Sequence, residues 1–171
     1  MTNFAQANSG QDGAIEALTF DLHGETFGLE AGLVREVLDL LPETDVPGAP
    51  AFAGAVINFR GRVIPLVDLR LAFGLERSET TTHSRIVVIE FDINDQPTLI
   101  GLRTDRVHEV TTIDYADTEM PPRVGMRWRQ DFIRCLAKRS DDLIIVPDLA
   151  RIFAARGRTS SQPSSQTTAQ S

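Results

Sequence analysis

The side chains of this 171-residue chain best suited to nucleophilic, acid–base or phosphate chemistry are three histidines, one cysteine and a single lysine. None stands in a pattern that would activate it. A nucleophilic hydrolase needs a Ser or Cys poised beside a base, yet there is no Gly-x-Ser-x-Gly elbow, and His23, His83 and His108 fall in a hairpin turn, a Thr-rich loop and a strand beside Glu109. Cys135 has no second thiol for a disulfide and no Cys or His neighbours for zinc, so it reads as a small buried hydrophobe. Lys138 follows no Gly-x-x-x-x-Gly-Lys loop, and no Gly-x-Gly-x-x-Gly turn is present. The carboxylates of Asp92, Asp95, Asp114, Asp117, Asp141 and Asp142 cluster at turns and strand ends, where acids cap backbone groups. The expectation is no catalytic residue, no metal and no cofactor.

One basic cluster departs from an acidic background: Arg123, Arg127, Arg129, Arg134, Lys138 and Arg139, with Trp128 and Phe132 among them. Such interleaving can clamp and stack single-stranded nucleic acid. The net charge of −7 opposes that reading, because phosphate backbones and anionic lipids repel the chain at long range. The cluster fits equally an internal counter-charge or a site for an acidic protein surface. A protein partner is therefore expected, and nucleic acid is not.

The elements that position these residues are short. Leu18, Phe20 and Leu22 alternate with polar residues, His23-Gly24-Glu25 interrupts, and Phe27 and Leu29 resume, which predicts a β-hairpin. A second hairpin reads Val56 to Arg60, Gly61, then Arg62 to Leu69, with Gly61 at the reversal. Pro65 cannot donate to a ladder, so its strand is expected at an edge or with a bulge. Further strands are predicted over Arg85–Phe91, Thr98–Arg103, Arg106–Ile113 and Leu143–Val146. Asp68 and Asp148 are placed to cap short helices over Leu69–Phe73 and Leu149–Phe153. The longest apolar runs fall far short of the roughly 20 residues of a membrane span. No secretory signal is visible at the N-terminus, so the expected compartment is the cytoplasm. Residues 1–15 read as a mobile lead, 16–156 as one folded domain and the Ser/Thr/Gln-rich residues 157–171 as a disordered tail.

An internal echo organises the middle. Gly28-Leu29, Val34 and Glu36-Val37 recur 73 residues later as Gly101-Leu102, Val107 and Glu109-Val110. Asp68-Leu69 and Phe73 recur 80 residues later as Asp148-Leu149 and Phe153. The shared order predicts a duplicated, mainly β protein of two small barrels, since closure removes exposed strand edges.

The most informative string is Val46-Pro47-Gly48-Ala49-Pro50-Ala51-Phe52-Ala53-Gly54-Ala55-Val56-Ile57-Asn58-Phe59-Arg60-Gly61-Arg62-Val63-Ile64-Pro65-Leu66-Val67-Asp68-Leu69. It resembles, almost position for position, the signature of the CheW family of chemotaxis coupling proteins. Looser likeness extends from about Leu18 to Phe153. The resemblance implies two pseudo-repeated, five-stranded SH3-like β-barrel lobes with a few short helices, and a cytoplasmic, non-enzymatic adaptor recruited to membrane-associated receptor arrays. It also implies two partners: the regulatory domain of a CheA-type histidine kinase, with which family members alternate in rings, and the cytoplasmic tip of a chemoreceptor. A twitching-motility or other chemosensory system is an alternative within this class, and a small-molecule-binding or enzymatic β-barrel an alternative outside it.

Glu36 and Arg60 match charged positions used for partner binding in the family and are the expected polar grips. Leu33, Val34 and Val37 are candidates for the apolar wall of a groove between the barrels that would take an amphipathic helix. For Val34 and Val37 a place in the core fits as well. The hairpin residues Asn58, Phe59, Arg60, Gly61 and Arg62 form a candidate protein-facing loop, with Phe59 expected as an exposed aromatic contact. Ala55 stands where the motif has Gly, and Cys135 at the related position of the second lobe, so a partner needing close backbone approach would meet a side chain there.

Overall fold

Alternation and turn chemistry shape most of the chain. The computed structural model describes residues 13–122 and 129–160. Its strands are β1 (Ala14–Leu22), β2 (Glu25–Glu30), β3 (Val34–Leu38), β4 (Thr44–Asp45), β5 (Ala55–Phe59), β6 (Arg62–Val67), β7 (Arg85–Ile93), β8 (Gln96–Thr104), β9 (Arg106–Asp114), β10 (Thr118–Glu119), β11 (Ile133–Arg139) and β12 (Asp142–Pro147). Two helices, α1 (Leu69–Ala72) and α2 (Leu149–Ser160), follow β6 and β12. The turns at His23-Gly24 and Arg60-Gly61 have φ of 53° and 82°, and 53° and 84°, the paired positive values a tight two-residue hairpin requires.

Two sheets result, ordered β10-β11-β12-β2-β1-β9 and β3-β7-β8-β6-β5-β4. Each has five strands of five residues or more and one of two residues, which accommodates the five-stranded expectation. The strands at the two ends of each order are consecutive in the chain, β9 with β10 and β3 with β4, so the connection curls each sheet on itself. The duplication is present, but its halves are not sequential lobes. Strands β3–β6 of the first repeat form a sheet with hairpin β7–β8 of the second, while β9–β12 take hairpin β1–β2 of the first. Each borrowed hairpin joins through a parallel pair, Phe27 opposite Ile145 and Gly101 opposite Leu66. Gly28 and Gly101 permit this close approach: a Cβ on Gly28 would lie 2.9 Å from Ile144 Cγ2, and one on Gly101 3.2 Å from Ile57 and Ile86.

Burial explains the near-continuous apolar runs. Ile86 and Val88 of β7 point into the interior of one lobe with Ile57, Ile64 and Leu66, whereas Val87 and Ile89 join the larger core between the lobes. That central core takes Phe20 and Phe27 from the β1–β2 hairpin, Phe73 from the end of α1 and Phe132 from the 3-10 turn before β11, with successive ring centroids 6.0, 5.4 and 6.3 Å apart. A strand buried on both faces loses the alternation of a half-exposed one.

The chain crosses between sheets at Asp105, between β8 and β9, and at a single 3-10 turn, Ala31–Leu33, between β2 and β3. The first crossing is clamped. Arg70, at the start of α1 and almost wholly buried, donates from Nε and Nη2 to Asp68 Oδ1 and Oδ2 at 2.8 and 2.9 Å, and from Nη1 to Asp105 Oδ1 at 2.7 Å. The backbone N–H of His23, in the β1–β2 turn, donates to Asp105 Oδ2 at 2.7 Å. Burial works against the Arg70 charge, but the hydrogen bonds and charge of Asp68, with Asp105 behind it, hold the guanidinium more firmly protonated than usual.

Several expectations are corrected. β6 is not an edge strand, since it lies between β5 and β8; Pro65 is tolerated because pairing with β8 begins only at Leu66. Helix α2 runs to Ser160, seven residues past Phe153, and β1 starts at Ala14, inside the expected lead. The rest of that lead, residues 1–12, and residues 161–171 of the tail lie outside the described residues, as do Arg123, Arg127 and Trp128 of the basic cluster. Among the described residues no helix is long and apolar enough to cross a membrane.

Two consequences can be measured. Arg70→Ala leaves the buried Asp68 carboxylate with only the 3.8 Å approach of Arg77 for a cation and is expected to lower unfolding free energy by about 3–5 kcal/mol, read by chemical denaturation; a loss below about 1 kcal/mol would show the clamp to be dispensable. Cys135 is half-buried beside the interior of the second lobe, and burial pushes its thiol pKa up against the opposing pull of Arg134. Its alkylation at pH 8 should run at least about tenfold slower than that of glutathione, because the thiolate is the nucleophile; equal rates would contradict the buried placement.

Candidate protein-interaction site

The β5–β6 hairpin owes its shape to its own residues. Asn58 Oδ1 accepts the Gly61 N–H at 2.9 Å, and Arg60 adopts the left-handed conformation that the turn requires. Arg60 is thereby thrown outward, its side chain 70% exposed, and reaches across to β3, where its Nε and Nη2 both bond to Glu36 Oε1 at 3.0 and 2.6 Å. The two expected polar grips, 24 residues apart in sequence, thus form one ion pair at the surface. Asn58, Gly61 and Arg62 are also exposed.

Phe59 is placed differently from the expectation. It is 8% exposed and belongs to the interior of its lobe with Ile57 and Ile64, because strand alternation turns it inward opposite Asn58. Its contribution to the surface is indirect: the Arg60 guanidinium lies 5.5 Å above its ring. Ala55 is buried in the same interior, so its methyl group is withdrawn from the outer surface.

The segment after β2 divides. Leu33 and Val34 are half-buried against the central core, whereas Val37 is 40% exposed. Only Leu33 of the ten candidates lines the cleft found between the lobes, a depression of about 490 Å3. Its other walls come from Phe91 of β7, Met120, Ile133 of β11 and Leu149 of α2, with Glu30, Arg134, Asp148 and Arg151 supplying the charges. Arg134 Nη1 donates to Glu30 Oε1 at 3.1 Å and Nη2 to the Tyr115 hydroxyl at 3.3 Å. The hairpin grips and the cleft are therefore separate features. Sequence reasoning passed over the cleft residues because they come from five separate segments; the only linear signal was the recurrence of Asp68-Leu69 at Asp148-Leu149.

The described members of the basic cluster each have an acidic neighbour. Arg129 pairs with Asp131 at 2.9 Å, Arg134 with Glu30 at 3.1 Å, Lys138 with Glu119 at 3.7 Å and Arg139 with Glu109 at 2.7 Å. The Arg139 hydrogen bond and charge hold the Glu109 carboxyl below its usual range. Internal counter-charge describes these four. Of the histidines, His108 Nε2 stands 2.8 Å from Asp21 Oδ2, and His23 and His83 are exposed. Among the described residues no group of three or more His, Cys, Asp or Glu is placed to hold a metal ion.

Two barrel-like lobes with exchanged hairpins, an exposed ion pair between β3 and the β5–β6 hairpin, and an interlobe cleft define a chain built to present surfaces. A family model for the CheW-like domain matches residues 16–157, and the chain belongs to that family. The chemotaxis protein CheW of Rhizobium meliloti is 28% identical over 158 residues, covering 92% of this chain and 98% of that one. CheW of Thermotoga maritima is 31% identical over 141 residues, covering 81% and 87%. The crystal structure of the scaffolding protein TtCheW from Thermoanaerobacter tengcongensis matches with a TM-score of 0.72 and 35% identity, over 82% of this chain and 88% of that one. A chemotaxis adaptor of two SH3-like lobes is the class these findings define.

Proposed function

We propose that this chain is a non-catalytic cytoplasmic adaptor that couples chemoreceptors to a CheA-type histidine kinase within a membrane-associated array. The observation that carries the reading is the match to the CheW-like domain across nearly the whole folded region, together with a solved relative described as a scaffolding protein. The geometry supports it. The cleft has the apolar walls and charged rim that suit one face of an amphipathic helix, such as a receptor hairpin would offer. The β5–β6 hairpin offers a guanidinium already held in a fixed direction by Glu36, ready to share a partner's carboxylate. We assign Glu36, Arg60, Asn58, Gly61 and Arg62, with Val37 beside them, to a contact surface, and Leu33 to the cleft; Val34, Phe59 and Ala55 support that surface from within.

Reconstitution tests the whole reading. Receptor-bearing membranes should retain the kinase in a sedimenting complex only when this protein is added, and kinase retention without it would sink the coupling role. Arg60→Glu is expected to weaken binding of the kinase regulatory domain or the receptor tip roughly tenfold. Thermal melting should barely move, since an exposed ion pair contributes about 0–1 kcal/mol. Unchanged affinity in a titration against both partners would remove Arg60 from the surface.

A further inference from the structure

The internal duplication lets one half of the molecule serve as a template for the other. In the first half the backbone N–H of Asp68 donates to Phe52 O at 2.9 Å, Asp68 caps α1 from the residue before it, and Arg70 folds back onto its carboxylate. In the second half the N–H of Asp148 donates to Phe132 O at 2.8 Å and Asp148 immediately precedes α2, with each residue displaced by 80 from its counterpart. The local frames correspond, but the side chains do not. Ala150 stands in the place of Arg70, and Gly32, at the second crossing, stands 73 residues before Asp105.

The clamp is thus absent from the second crossing, and the interlobe cleft lies there, lined by Leu33, Asp148, Leu149 and Ala150. Asp68 is 1% exposed beneath its arginine, whereas the Asp148 side chain is 28% exposed. Its Oδ1 accepts the Arg151 N–H at 3.1 Å, and its Oδ2 has only the 3.6 Å approach of Arg151 Nε, from a side chain 67% exposed. A carboxylate beside an apolar depression keeps acceptor capacity that a planar guanidinium fork can use, and a compact ammonium uses it less well.

We propose that the Asp148 carboxylate is a subsite for an arginine side chain of the partner helix seated in the cleft, standing there as Arg70 stands on Asp68. This rests on the adaptor reading and specifies it: the receptor hairpin lays apolar residues against Leu33, Phe91, Ile133 and Leu149 and directs one arginine over Ala150. The apolar walls exclude water around the pair and strengthen it relative to a surface contact.

The test is a titration of the purified receptor cytoplasmic hairpin into the full chain. Asp148→Asn keeps the helix cap, so melting should be unchanged, while affinity falls about tenfold. Replacing one particular hairpin arginine with glutamine should give a similar loss, and the two changes together should cost no more than either alone, the signature of a direct pair. Transplanting the clamp with Ala150→Arg and Gly32→Asp should raise the melting temperature and abolish hairpin binding, because the chain then fills its own subsite; a Cβ at Gly32 meets nothing within 4 Å. Unaltered affinity of Asp148→Asn, or strictly additive losses for every hairpin arginine, overturns the subsite while leaving the adaptor reading intact. Failure of the unaltered chain to bind the hairpin overturns receptor coupling and the subsite together.

Discussion

The exchange of hairpins between the two repeats is the constraint on which the rest depends. Because β1–β2 completes the sheet of β9–β12 and β7–β8 completes that of β3–β6, neither lobe can finish its ladder from its own repeat. The strands at the exchange must be buried on both faces, which dictates runs such as Ile86-Val87-Val88-Ile89 and places glycine at both parallel junctions. The central core is then shared property, with phenylalanines from hairpin, helix and lobe in one chain of ring contacts. Relative motion of the lobes would have to disturb this core, so the molecule presents its outer surfaces from a single frame.

Duplication supplies approximate symmetry, and the two crossings between sheets are where that symmetry is broken. The crossing at Asp105 is closed by a desolvated arginine and two aspartates, a fixed polar knot in an otherwise apolar frame. The crossing at 31–33 has a glycine and an alanine in the related positions and opens into the cleft. A buried ion pair is costly to assemble and costly to break, so it suits a joint that holds one geometry. The other joint is tied differently, by the part-exposed Arg35, which donates from Nη1 to Gly32 O at 3.0 Å and from Nε to Glu90 Oε1 at 2.9 Å.

Much of this was legible in the sequence. The hairpins were readable because alternation and Gly-bearing turns are local signals, and the helices because Asp68 and Asp148 each cap the turn that begins at the next residue. The repeat was readable as an offset, but an offset between like segments does not say which copy pairs with which, so the exchange was not. Strand β11 was hidden because Arg134, Lys138 and Arg139 read as a basic cluster; their partners Glu30, Glu119 and Glu109 lie 104, 19 and 30 residues away, and the neutralisation is visible only in three dimensions. At the site, only the family resemblance marks Glu36 and Arg60 in the sequence, and their mutual pairing across 24 residues is visible only in the fold. Phe59 reads as exposed from its place beside a turn, whereas the strand period carries it inward.

Ala55 and Cys135 show how the two halves use one solution for a shared purpose. They lie 80 residues apart at the same place in the ladder, opposite Leu66 and Val146, which are separated by the same interval. Ala55 is buried in the interior of its lobe with Ile57, and Cys135 packs, partly buried, against the cluster that holds Ile144 in the other. The replacement of the motif's glycine by Ala55 is accordingly a matter of the lobe's interior, since Ala55 is buried and its strand is paired there on both sides, with Asp45 and Leu66.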